Sequence, residues 1–480
     1  MASVETLHER LEAIGQSHLL AHADELDDAG KARLAARIEA IDLDSVPQWI
    51  ERYVRSSPGA DFDASTIQPA PFFAAEGNDA DRSWDRDGAT ELGESLLKAG
   101  AMACFLVAGG QGTRLGFDGP KGCFPAGAVT GKPLFAIFAE GIQAAERRYS
   151  TTIPWYIMTS PLNHEPTLAF FKDNHHFGLD PANVTFFPQG VMPSFDAETG
   201  KILLADKDEP ATNPDGHGGA ITALHKSGAL DDMKSRGIQH ISYFQVDNPL
   251  VRVADSTFLG LHAGDVSSGE MSSKMLPKAY PEERVGVFCL ADGKVCMVEY
   301  SDMTSEQQNE RTMEGALRFI AGNPAIHMLG VPFVERLATD PAFELPFHRA
   351  VKKIPHLNAD GERVEPDAPN GIKLERFIFD ALPLAERSII METERVEEFA
   401  PIKNAEGNDS PESSKRIQTI RAASWLRRQG VDIPYDDDGM PDCTLEISPL
   451  TASQPGDLAR SDRAGSDLPK SIAPGQSLAL

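Results

Sequence analysis

From Leu106 the chain reads Leu-Val-Ala108-Gly109-Gly110-Gln111-Gly112-Thr113-Arg114-Leu115-Gly116, and Pro120-Lys121 follows shortly after. The string begins where an apolar run of strand length, Met102–Val107, ends. Glycines let the backbone approach a ligand and aim successive N–H groups at phosphate oxygens. Arg114 offers a planar fork of donors and Lys121 a mobile point charge, both suited to phosphate. Two familiar glycine motifs do not fit. A Walker A loop would close in Gly-Lys-Ser/Thr, and a dinucleotide fingerprint would need glycine where Leu115 stands. A tight turn with solvated cations would account for the glycines alone. The Thr-Arg-Leu-Gly continuation and the later Pro-Lys favour phosphate binding.

The elements that must carry this loop are legible from periodicity. Strand-length apolar runs recur at 102–107, 153–158, 184–187 and 241–246, with helical patterns between them at 133–148 and 220–227. That alternation predicts an α/β domain with a mixed, mostly parallel sheet, whose ligands gather at the carboxyl ends of the strands. Leu7, Leu11 and Ile14, then Leu34, Ile38 and Ile41, predict helices near the N-terminus. A loop-like linker rich in Pro, Gly and Asp follows between Ser56 and Gly88. Around 285–300 two short runs flank Asp292-Gly293, a favoured hairpin turn. Ser413 or Ser414 is placed to cap a helix that stops at Gly430. The Ser/Pro/Gly/Asp-rich end predicts poor packing over residues 456–480.

The formal charge of −27 argues against a nucleic-acid binder, which needs a basic surface, but not against a small anion held by a few local cations. No apolar run approaches the ~20 residues of a membrane span. The stretch Met1 to Leu20 lacks the basic-then-apolar pattern of a secretory leader. The five cysteines include no pair at metal-ligand spacing and read as reduced thiols of a cytoplasmic protein.

The glycine string, taken with eleven further segments, resembles the eukaryotic-type UDP-N-acetylhexosamine pyrophosphorylases, or a bacterial relative grouped with UDP-sugar pyrophosphorylases. Those segments run in order from Gln16-Ser17-His18-Leu19-Leu20 through Pro188-Gln189-Gly190 and Pro214-Asp215-Gly216-His217-Gly218-Gly219 to Val246-Asp247-Asn248. Val285-Gly286-Val287, Val298-Glu299-Tyr300, Gly322-Asn323, Lys352-Lys353-Ile354-Pro355 and Asn370-Gly371-Ile372-Lys373 follow. The last are Pro401-Ile402-Lys403-Asn404-Ala405 and Glu446-Ile447-Ser448-Pro449-Leu450. The resemblance implies a helical N-terminal region and linker over residues 1–95 and a nucleotide-diphospho-sugar transferase-like domain over 96–385. A small β-rich region over 386–455 would follow.

The implied reaction is in-line attack of a sugar 1-phosphate on the α-phosphorus of UTP, with Mg²⁺ as cofactor and pyrophosphate leaving. Such transfer depends on positioning and charge neutralisation rather than on a nucleophilic side chain. Arg114, Lys121 and Lys403 are implied as the catalytic cations. The loop residues Ala108, Gly109, Gly110, Gly112 and Thr113 would hold the nucleotide, with Lys373 at its phosphates and Gln189 and Gly216 at uracil. Asp247 is implied as the metal ligand. Read by itself, an Asp after a strand is a turn or cap residue, and a single lysine is a surface charge. Gly286, Glu299 and Asn323 match sugar-binding positions, although Glu299 could equally be a cross-strand charge. His217 stands where the N-acetylglucosamine enzymes carry asparagine, and Ile326 replaces a second asparagine. His217 is open to two readings, a hydrogen bond to the sugar or a filler of the loop, and the sugar stays open with it. A catalytically silent nucleotide-sugar-binding protein is the alternative, disfavoured by the intact cations and Asp247. Glycosyl transfer from a UDP-sugar would favour an Asp-X-Asp triplet, where this chain has Asp247-Asn248-Pro249.

Overall fold

The computed structural model describes residues 4–56, 66–75, 84–459 and 468–480. Much of the linker expected between Ser56 and Gly88 lies outside the described residues. The chain forms two compact units, each built from segments far apart in sequence. The smaller comprises Met1–Asp63, Gln189–Ala223 and Glu344–Asp380, and the larger Ala64–Pro188, Leu224–Phe343 and Ala381–Leu480.

In the larger unit, β1 (Met102–Val107), β2 (Trp155–Thr159), β3 (Val184–Pro188) and β4 (His240–Gln245) run parallel in the order β4-β1-β2-β3. β5 (Met271–Pro277), β6 (Val287–Ala291), β7 (Lys294–Val298), β8 (Ala321–Gly322), β9 (His327–Gly330) and β10 (Ile389–Glu392) extend the same sheet. β9 joins β4 to β5 through antiparallel pairing on both sides, and β10 lies parallel to β5. Parallel order thus prevails in the half that carries the glycine loop, and antiparallel order in the other. The side chains of β2 are all buried, as expected for a strand covered on both faces. Asp292 and Gly293, with φ of 49° and 75°, close the β6–β7 hairpin in the left-handed conformation that a two-residue turn requires.

Four helices matter here: α1 (Arg86–Lys98), α2 (Leu134–Tyr149), α3 (Ser256–Ala263) and α4 (Pro411–Arg428). α2 buries Leu134, Phe135, Phe138, Ile142 and Ala145 at helical spacing, and Phe135 meets Trp155 of β2 and Phe171 edge-on. α1 and α3 cross so closely that a Cβ on Gly93 would overlap the Ser256 carbonyl, and one on Gly260 the Ala89 carbonyl. Backbone cannot yield as a side-chain tip can. Gly93→Ala should therefore destabilise the protein by about 2 kcal/mol or more, read as a lowered urea midpoint at unchanged m.

α4 starts earlier than Ser413 or Ser414. Ser410 is its cap, exchanging hydrogen bonds with Ser413 while Pro411 occupies the first turn. Trp425 and Leu426 of α4 form a local core with Leu445 and Leu458. β11 (Cys443–Glu446) pairs in parallel with β12 (Gln476–Ala479), which lies in the tail expected to pack poorly. Leu478 and Leu480 give that tail its apolar anchors.

In the smaller unit the N-terminal helices bury Leu7, Leu11, Leu34 and Ile38 against Phe195, Ile202, Ile372 and Leu374. Gln16 explains part of its motif: its amide donates to the Gly200 carbonyl (3.2 Å) and accepts from the Ile202 N–H (2.9 Å). Among the described residues no helix is long and apolar enough to cross a membrane, and all five cysteines are free.

Candidate active site

The register Val107↔Gln245 makes β1 and β4 end side by side, so the glycine loop and Asp247 leave the sheet together. The loop doubles back on itself. Gly112 N–H donates to the Gly119 carbonyl (2.9 Å), and Lys121 N–H to the Gly110 carbonyl (3.1 Å). Lys121 is thereby held over the start of the loop. A Cβ on Gly112 would press on the Phe117 ring, so the closure depends on that glycine. Asn163, buried after β2, braces the loop by donating to the Ala108 carbonyl (2.9 Å) and the Gly110 carbonyl (3.2 Å). Among the described residues, no partner takes the N–H groups of Gly109, Gly110, Thr113 and Arg114. That leaves a row of donors of the kind an anion fills.

Arg114, Lys121, Asp247 and Lys403 form one electrostatic group. Burial lowers the Lys121 pKa, Asp247 opposes that shift, and Lys403 and Arg114 add to it. Lys403 Nζ lies 3.8 Å from Asp247 Oδ2, with its side chain 45% exposed and that of Asp247 only 13%. Three cations, set against Asp247 and the neighbouring Asp409, leave an excess of positive charge for a polyanion. Asp409, which sequence reading missed, belongs to the same group. Its carbonyl accepts from the N–H groups of Lys403 (2.6 Å) and Asn404 (3.0 Å). Burial pushes its carboxyl up, against the pull of Lys403.

Three of the four sugar candidates also converge. Val287 pairs with both Val298 and Gly322, so Gly286, Glu299 and Asn323 meet at the open end of the β6–β7 hairpin. Asn323 N–H donates to the Gly286 carbonyl (2.9 Å). A Cβ on Gly286 would run into the Met297 sulfur. Ile326 instead packs inside the core of the larger unit, where its loss of an amide is a matter of packing. A cavity of about 430 Å³ is lined by Arg252, Asp255, Glu397 and Arg421, and none of the four residues of the cationic group faces it.

In the smaller unit Gln189, Gly216 and Lys373 are brought to one place. The strand after Gln189 pairs Val191 with Pro214, and Asp215 N–H donates to the Gly190 carbonyl (3.3 Å). Gly216 has φ of 83°, and a Cβ there would overlap the Arg376 carbonyl, so only glycine fits. Arg376, just beyond the strand that carries Lys373, was missing from the sequence reading. Its N–H donates to the Asp215 carbonyl (2.8 Å), and its guanidinium lies 4.0 Å from the Phe347 ring centroid. His217 stacks on Phe377 with ring centroids 5.2 Å apart, and its Nδ1 accepts from the Ile378 N–H (3.1 Å). Burial, helped by His348, lowers its pKa to about 4. The ring is therefore neutral at pH 7 and carries its proton on Nε2, so filling the loop does not prevent it from donating a hydrogen bond.

The chain is similar to known proteins over most of its length. Residues 79–409 match the family described as UTP--glucose-1-phosphate uridylyltransferase. The UDP-N-acetylhexosamine pyrophosphorylase-like protein 1 of Xenopus tropicalis is 36% identical, over 94% of this chain and 92% of its own. UDP-N-acetylglucosamine diphosphorylase 2 of Arabidopsis thaliana is 37% identical, over 89% and 85%. The crystal structure of the uridine diphosphate N-acetylglucosamine pyrophosphorylase from Trypanosoma brucei superposes with a TM-score of 0.80 at 27% identity, covering 95% of this chain and 94% of that one. The loop, its bracing asparagine and the cations around Asp247 thus stand on a fold shared with pyrophosphorylases, and the chain belongs to the UTP--glucose-1-phosphate uridylyltransferase family of nucleotidyltransferases.

Proposed function

We propose that this protein transfers UMP from UTP to N-acetylglucosamine 1-phosphate, releasing pyrophosphate and forming the UDP-sugar. In that reaction an oxygen of the sugar phosphate bonds to the α-phosphorus of UTP as the α–β bridging bond breaks. The observation that carries the reading is the grouping of Arg114, Lys121 and Lys403 about Asp247 at the ends of β1 and β4. Lys121 and Arg114 bind the triphosphate over the glycine loop, and Lys403 offsets charge where the bond is made and broken. Lys373 contacts phosphate, Gln189 and Gly216 read uracil, and Gly286, Glu299, Asn323 and His217 read the sugar.

Asp247 holds Mg²⁺. Among the described residues no three His, Cys, Asp or Glu side chains stand ready for a metal. That suits Mg²⁺, which uses one or two carboxylates and completes its shell with substrate phosphates and water. When bound it neutralises charge on the phosphates. The choice of N-acetylglucosamine rests on the names of the relatives. Five free cysteines fit a reducing, cytoplasmic setting.

The reverse reaction tests the sugar. Given pyrophosphate and either UDP-N-acetylglucosamine, UDP-glucose or UDP-galactose, the protein should form UTP with kcat/KM highest for the first by about tenfold or more. Higher turnover of UDP-glucose would reassign the sugar and leave the chemistry in place.

A further inference from the structure

We propose that Asn248 is a positioning residue that sets where Lys403 stands relative to Asp247, anchored from behind by the buried pair Lys274–Glu398. The inference rests on the roles given above to Asp247 and Lys403.

Those two residues are carried by segments more than a hundred residues apart in sequence, and the bond between the segments runs through Asn248. Its side chain is buried. Nδ2 donates to the Glu398 carbonyl (2.7 Å), and Oδ1 accepts from the Ala400 N–H (3.0 Å). Two residues further on, Ile402 N–H donates to the carbonyl of Asp247 itself (2.8 Å). The segment 398–402 is thus zipped along the loop after β4, and Lys403 is the first residue past the zipper. Asparagine suits the position because it offers a donor and an acceptor at once. Aspartate would lack the donor, and an apolar residue would leave both backbone groups orphaned in the interior.

Glu398 fixes the far end. Its carboxylate is fully buried and receives Lys274 Nζ from β5 (2.6 and 2.8 Å), Thr393 Oγ1 (2.6 Å) and the Arg252 N–H (3.2 Å). Lys274, itself without solvent exposure, also meets Asp255 at 2.6 Å, and Arg252 meets Glu397 at 2.9 Å. With Arg421, which acts on Glu397 and Glu398 as well, three cations thus face three carboxylates that are further bonded by N–H and O–H donors, which lets the cluster persist away from water. It ties the segment before Lys403 to the sheet, so Asn248 zips against a fixed partner.

A double-mutant cycle separates positioning from general structural support. Asn248→Ala should lower kcat by about tenfold or more and leave KM for UTP within about twofold, because misplacement acts on the transition state. Added to Lys403→Ala, it should cause less than about a further twofold loss, because there is no longer a lysine to place. Asn248→Ser, which can form one of the two bonds, should fall between. If Asn248→Ala does not fold, the serine variant carries the cycle. Losses that multiply in the double variant would overturn the proposal. So would an Asn248 variant with lowered stability but full kcat per folded molecule. Wild-type activity in Lys403→Ala would overturn the role of Lys403, and the proposal with it.

Discussion

Lys121→Ala should lower kcat/KM for UTP by about a thousandfold, ~4 kcal/mol of transition-state stabilisation, without altering the unfolding midpoint by more than a little. The size follows from the environment. Lys121 is half-buried, is drawn over Gly110 by its own backbone and faces Asp247 across the exit of two adjacent strands. A cation held away from water acts on phosphate through a lower effective dielectric than one on the surface. Its side chain supports no core, so the fold should survive. The pH dependence has a definite sign. Phosphate binding needs the ammonium form, and burial lowers the Lys121 pKa. The profile of kcat/KM, which reports the free enzyme, should therefore fall on its alkaline side below the pH at which an ordinary lysine titrates. Lys121→Arg, with whatever activity it keeps, should move that fall upward, since guanidinium stays charged. Turnover like wild type in Lys121→Ala would remove the lysine from the site.

Asp247→Asn should reduce kcat by about a hundredfold or more at fixed Mg²⁺, and should raise the Mg²⁺ concentration needed for half-maximal rate. Asparagine preserves shape and removes the charge, so the loss reports on metal and electrostatics rather than packing. A second consequence follows from the coupling to Lys121. Asp247 holds the Lys121 pKa up against burial. Without that charge, the alkaline limb of kcat/KM should move to still lower pH. Unchanged Mg²⁺ dependence in Asp247→Asn would assign the metal to another group, and Asp409 would be the first to test.

What could be read from the sequence was what is local. The apolar runs placed β1 to β4 within two residues, and Asp292-Gly293 named the hairpin turn, because period and turn chemistry are written in neighbouring residues. The cap of α4 was misplaced by three or four residues. Three serines compete there, and the proline after Ser410 was the overlooked signal. The place of the glycine loop at the end of a strand was legible, but its brace was not: Asn163 gains its meaning only when β2 lies beside β1. Asn248 likewise acts through Glu398 and Ala400, which no pattern in the sequence joins to it. His217 is stacked by Phe377 from another segment, and Ile326 points into the core. The two departures from the family pattern therefore differ in kind: Ile326 is a packing residue, and His217 still has a proton to donate.

The most direct measurement is pyrophosphate release from UTP with N-acetylglucosamine 1-phosphate, glucose 1-phosphate and galactose 1-phosphate, each with Mg²⁺ and with EDTA. In the proposed reaction, release requires a sugar 1-phosphate, stops with EDTA and is fastest with N-acetylglucosamine 1-phosphate. Silence across all three, from folded protein that still binds UTP, would contradict it and mark the chain as a binding protein on a pyrophosphorylase fold.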